Sequence, residues 1–221
     1  MNRRTASILT TGLALTLAAS LTACGSDDSG KEKDDEAVKG AEPAKTSAEA
    51  SPSPSASKAG AERPKIELPA DLKLTFDWAD TGDAKKDAVY RDTEQFIQSL
   101  QTAVARQKPT DPGFRFYSSG EAAANVQAYV QRFVDTGDRV TGTVRYSKPN
   151  LKLNADGTAG FVYCEDQSKA YRKSVKTGKT KLTQGSKDDY VLYNTHLRRN
   201  DKGVWVTEKL ISDAGSAQCQ P

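Results

Sequence analysis

Histidine is nearly absent from this chain: His196 is the one imidazole in 221 residues. A Ser-His-Asp triad would have to be built on it, and a zinc site made of several imidazoles is excluded. Cysteine is sparse as well, at three residues, and no CxxC pair occurs. That removes zinc-ribbon and thioredoxin-type chemistry. The chain holds no HExxH, no GxSxG and no glycine-rich phosphate loop, so those chemistries have no carrier. Scattered carboxylates with a single histidine have no metal-ligand spacing, and neither a metal nor a cofactor is expected. Long apolar runs are lacking too. The uncharged stretch Ala6–Leu21 carries several Ser and Thr and is shorter than the roughly 20 mostly apolar residues that a spanning helix needs.

What is present begins at the N-terminus. Met1-Asn2-Arg3-Arg4 is a charged start, the Ala6–Leu21 run follows, and small residues then precede a cysteine. Charge, apolar segment and small-residue cleavage site form a secretory signal. Leu21-Thr22-Ala23-Cys24 resembles the lipobox of bacterial lipoproteins. The resemblance implies removal of residues 1–23, a diacylglyceryl thioether on Cys24, and Cys24 as the mature N-terminus. It places the protein on the extracytoplasmic face of the cell membrane, held through lipid. Nucleic acid is then not an expected partner.

Residues 24–65 read as a tether. Asp27-Asp28, Asp34-Asp35-Glu36 and scattered lysines alternate with Ser, Ala, Gly and Pro, and Ser51-Pro52-Ser53-Pro54-Ser55 is Pro-spaced. Such a segment has too little apolar area to offset the entropy of ordering it. As a flexible coil of about 40 residues it spans roughly 35 Å r.m.s.. The formal net charge of +3 resides in the remainder, 66–221, which is long enough for one domain with a real core.

That domain reads as α+β, with N-terminal helices packed on a curved antiparallel sheet. Leu72–Trp78 alternates and predicts a short strand. Asp83 to about Gln107 predicts a helix whose buried stripe is Ala88 or Val89, Thr93, Phe96, Ile97, Leu100 and Val104. Pro109, Pro112 and Gly113 end it. Ser118 and Glu121 have the spacing of a capping box for a second helix, with Ala122, Val126, Val130, Phe133 and Val134 inward and Gly137 as its C-terminal stop. From Arg139 the period changes to two. Asn154-Ala155-Asp156-Gly157 predicts a hairpin turn, Thr177-Gly178-Lys179 another, and Tyr190–Arg198 and Val204–Ile211 the last two strands.

With Cys24 lipidated, Cys164 and Cys219 remain. An even pair in an exported domain predicts a disulfide that clips the C-terminal tail to the sheet. From about Leu68 to Cys219 the chain resembles a family of actinobacterial lipoproteins with a nuclear-transport-factor-2-like, cystatin-like cone. The residues that carry the likeness include Thr81-Gly82-Asp83, Asp111-Pro112-Gly113, Tyr146-Ser147-Lys148-Pro149, Cys164-Glu165-Asp166-Gln167-Ser168 and Trp205. The resemblance implies a sheet wrapped by helices, with a pocket at the wide end, and no catalytic motif. Two surfaces compete for function. Lys169, Arg172, Lys173, Lys176 and Lys179 form a basic hairpin suited to anionic lipid headgroups or wall polymers. It suits a non-catalytic binding module for an anionic ligand or an envelope protein. Alternatively, His196 with Asp166 or Asp77 supplies a pocket acid–base pair, as some cone-fold enzymes use.

Overall fold

A computed structural model describes residues 62–221; the expected signal segment, Cys24 and most of the tether lie outside the described residues. Strand β1 (Leu72–Phe76) is followed by helices α1 (Ala84–Ala105), α2 (Pro112–Tyr117) and α3 (Gly120–Thr136). Strands β2 (Asp138–Leu153), β3 (Thr158–Ser174), β4 (Thr180–Lys181), β5 (Tyr190–Arg199) and β6 (Trp205–Ala214) complete the domain. No helix among the described residues is long and apolar enough to cross a membrane.

Helix α1 starts where the sequence places it. The Asp83 carboxylate accepts from the Lys85 amide at 2.8 Å, and Val89, Thr93, Phe96, Ile97 and Val104 are buried along one stripe. Helix α2 was not expected, because Pro112-Gly113 reads as a breaker. Pro112 instead sits in its first turn, where the missing N–H costs nothing, and Asp111 accepts from the Gly113 amide at 2.8 Å. The capping box at Ser118 does not form. Ser119 is the N-cap of α3 and makes no side-chain cap bond, while the Ser118 hydroxyl donates to the Phe114 carbonyl at 2.8 Å. The extra helix draws Ser118 back toward the preceding turn. Gly137 ends α3 in the left-handed region, at φ 62°.

The sheet order is β1-β2-β3-β5-β6, with β4 on β3. It is not purely antiparallel as expected: β1 pairs with β2 in parallel, Leu72 opposite Gly142 and Phe76 opposite Tyr146. Three helices separate these strands, which is a long enough connection to return the chain in the same direction. All other pairs are antiparallel. Register shifts at Thr143/Arg145 and Ser147/Asn150 between β2 and β3, and at His196/Leu197 between β5 and β6, are bulges that bend the strands.

The concave face carries the core. Val144 and Tyr146 from β2, Phe161 and Tyr163 from β3, Leu197 from β5 and Trp205 from β6 meet Val89, Phe96, Val104, Val126, Val130 and Phe133 from the helices. Phe76, Trp78, Tyr90 and Phe161 fill one end with tilted and edge-on aromatic contacts. The approach to β1 is tied down as well. The Arg63 guanidinium stands 2.5 Å from the buried Asp92 carboxylate, which also accepts from the Trp205 amide at 2.8 Å. On the other face of the sheet, Cys164 is bonded to Cys219. The Lys148 ammonium donates to the Gln218 and Gln220 carbonyls at 2.8 and 3.2 Å. The expected tail clip is therefore present.

Candidate functional site

Alternation along β3 decides what faces inward. Ala159, Phe161 and Tyr163 point to the helices, and two residues on, the same parity delivers Glu165. Tyr146 of β2 is its direct cross-strand partner, and Val191 of β5 lies opposite on the other side. Tyr163 pairs with Tyr193 in the same way, their rings stacked 5.3 Å apart. At this position the helices do not close onto the sheet. A cavity of about 430 Å³ remains, walled by Phe96, Ile97 and Leu100 of α1, Val126 and Tyr129 of α3, Tyr146, Tyr163, Val191 and Tyr193 of the sheet, and Leu210 of β6. Its polar lining consists of Gln101, Asn125, Arg132, Glu165, Gln167 and Ser212. Volume and composition fall in the range of small-molecule sites: apolar and aromatic walls with a few placed polar groups.

Glu165 is the electrostatic centre. It is buried. The Tyr146 hydroxyl donates to its Oε1 at 3.1 Å, and the Tyr193 hydroxyl lies beside the same carboxyl. Burial pushes the carboxyl above its ordinary range, the two phenols work against that rise, and Asp166 adds to it. The phenols of Tyr146 and Tyr193 are pushed well above their usual value, by burial first and by the neighbouring carboxyl second. On α1, Gln101 is buried and its Oε1 has no hydrogen-bond partner. Arg132 lies near the rim, its guanidinium 5.5 Å from the Tyr129 ring centroid.

The residues singled out from sequence lie elsewhere. His196 is on the opposite face of β5 from Val191 and Tyr193, with Nδ1 3.4 Å from Glu208, and does not line the cavity. Asp166 shares that outer face, but its ladder partner is Tyr190 while His196 pairs with Gly160. Six ladder positions separate them, about 20 Å. Asp166 Oδ1 accepts from the Ser168 amide at 2.9 Å, and Asp77 is paired with Arg145. The expected His–Asp acid–base pair is therefore not assembled. The basic hairpin is partly neutralised from within. Lys173 binds Asp71 at 2.7 Å. Arg172 lies 3.9 Å from Asp138 with its guanidinium 4.5 Å from the Phe133 ring centroid, and Lys181 is 3.0 Å from Asp138. Lys169, Lys176 and Lys179 are exposed. Among the described residues no group of three His, Cys, Asp or Glu side chains is placed to hold a metal ion.

Sequence reasoning passed over Glu165. Its signal was available: it continues the inward parity of Phe161 and Tyr163, and a carboxyl at an inward strand position needs a polar environment inside.

No family profile and no curated protein matches the chain in sequence. Among solved structures, Aln2 from a Streptomyces species is similar at TM-score 0.41 and 13% identity, over 57% of this chain and 90% of that one. A ketosteroid isomerase-like protein from Erwinia carotovora gives TM-score 0.40 and 12% identity, over 61% and 98%. A Nostoc punctiforme domain of unknown function with a cystatin-like fold gives 0.38 and 17%, over 62% and 79%. Likenesses this remote carry no functional weight.

Proposed function

We propose that this chain is a lipid-anchored extracytoplasmic protein whose domain holds a small, largely apolar organic molecule in the cone cavity, with the ligand's polar end set against Glu165. The observation that carries the reading is the cavity itself: about 430 Å³, walled by apolar and aromatic side chains, with one buried carboxyl at its polar end. A domain that only spaced other proteins apart would gain stability by filling such a volume, since packed interiors leave few voids larger than a water molecule. The lipobox and tether supply the address, and the cavity supplies the activity. An acid–base enzyme built on His196 finds no support in the cavity, because that imidazole is on the other side of the sheet.

The test is direct binding to the purified domain. The uncharged fluorophore N-phenyl-1-naphthylamine is expected to brighten on titration and saturate at one equivalent. Ala128 is exposed and lines the cavity mouth, so Ala128→Trp should block entry without straining the core and weaken binding about tenfold or more. A fluorophore that ignores the protein, or binds the variant equally well, would defeat the proposal.

A further inference from the structure

We infer that the polar end of the cavity is a seat for an organic ammonium ion, a positively charged nitrogen carried on a small apolar body. This deepens the reading of the cavity as a binding site and rests on it. The two oxygens of Glu165 are acceptors. The hydroxyls of Tyr146 and Tyr193, the donors nearest to them, already lie beside that carboxyl. Gln101 adds a second acceptor from α1: its amide meets the Tyr129 hydroxyl, while its Oε1 is buried without a partner on a residue only 5% exposed that lines the same cavity. The Glu165 carboxyl and the Gln101 oxygen therefore offer acceptors to a ligand, and the one ionisable acid in the lining sits among them.

Three ligand chemistries can be weighed against this. A carboxylate or phosphate would meet Glu165 inside the cavity, and would find the one cation of the lining, Arg132, on an exposed turn of α3 beside Tyr129. A purely apolar molecule would leave the Gln101 oxygen unpartnered and Glu165 desolvated, and each orphaned buried acceptor costs affinity. An ammonium offers N–H donors to both oxygens and a charge that favours the ionised carboxyl against its burial, in a charge-assisted bond roughly twice as strong as a neutral one. Tyr129, Tyr146, Tyr163 and Tyr193 line the same cavity, and aromatic faces attract cations.

The test compares three probes of one ring and similar length on the wild-type domain at pH 7.5, by calorimetry or protein-observed NMR: 2-phenylethylammonium, 2-phenylethanol and phenylacetate. The ammonium is expected to bind at least about tenfold tighter than the alcohol, and the carboxylate weakest. Glu165→Gln should erase the preference for the ammonium while leaving the alcohol within about twofold, with its fold checked by the same NMR spectrum. Equal or tighter binding of the alcohol or the carboxylate to wild type overturns the inference and leaves the cavity reading intact. So does failure of all three probes when the naphthylamine fluorophore binds. Failure of the fluorophore as well removes both readings. None of the wild-type comparisons depends on the variant folding.

Discussion

A buried carboxyl is harder to ionise than one in water, even with two phenols beside it to stabilise the charge. Because burial raises the Glu165 pKa above its ordinary value near 4.5, the folded state holds that proton longer than the unfolded chain does. Its contribution to stability is complete below the ordinary value and is lost as pH rises through the folded one. Asp71 works in the opposite sense. Arg139 and Lys173 depress its pKa strongly, so its contribution is present above the ordinary carboxylate value and disappears only in acid. Above about pH 5 the Asp71 contribution is therefore constant. Glu94, raised by burial, shares the sign of Glu165 and must be subtracted. The expected result is that the melting temperature of the ligand-free domain, followed from pH 5 to 8, falls more steeply for wild type than for Glu165→Gln. Parallel curves would show that Glu165 ionises in the folded protein much as it does in water. The same residue shows what a sequence hides. Inward parity was readable at Glu165, yet a charged side chain at an inward position has no meaning until the gap between α1, α3 and the sheet is seen.

At the level of elements, the sheet depends on one close approach. Gly142 has φ 95°, and a Cβ there would run into the Lys169 carbonyl oxygen of the paired strand. Gly178, in the turn before β4, also has positive φ, at 67°, but is surrounded by open space. Gly142→Ala should therefore cost about 3 kcal/mol or more in urea unfolding, from strain plus displacement of β3. Gly178→Ala should cost about 1 kcal/mol, from the left-handed backbone alone. Equal losses at the two sites would mean that the β2–β3 approach is soft. Much of this level was legible beforehand. The α1 stripe, the Gly137 stop and the Asn154–Gly157 turn depend on local spacing and local dihedral preference, and they form as read. Helix α2 is hidden because a proline that ends one helix and a proline that opens the next look alike in sequence, and Pro112 does the second. The parallel pairing of β1 was missed because strand direction is set by where three helices return the chain, which no local pattern in Leu72–Phe76 records.

For the molecule as a whole, the proposed division is between an address and a cavity. Arg63 is the point where the tether meets the fold, clamped to Asp92 and 3.3 Å from the Tyr117 hydroxyl. Upstream of it, the sequence predicts a spacer and a lipid attached at Cys24. Cys24→Ala in cells is expected to move the protein from the membrane fraction to the medium or to leave it as uncleaved precursor, with the domain's fluorophore binding unchanged. Full retention of a processed form in the membrane would contradict the thioether anchor.

The Cys164–Cys219 bond has a consequence for damage. From Val175 to Asp188 the chain is exposed throughout and includes Lys176, Lys179, Lys181 and Lys187, inviting trypsin-like proteases. A cut in that loop separates β5 and β6 from the rest of the polypeptide, yet Cys219 remains bonded to β3. The nicked protein stays one particle with both halves of its cavity, and only a reductant turns the wound into a dissociation.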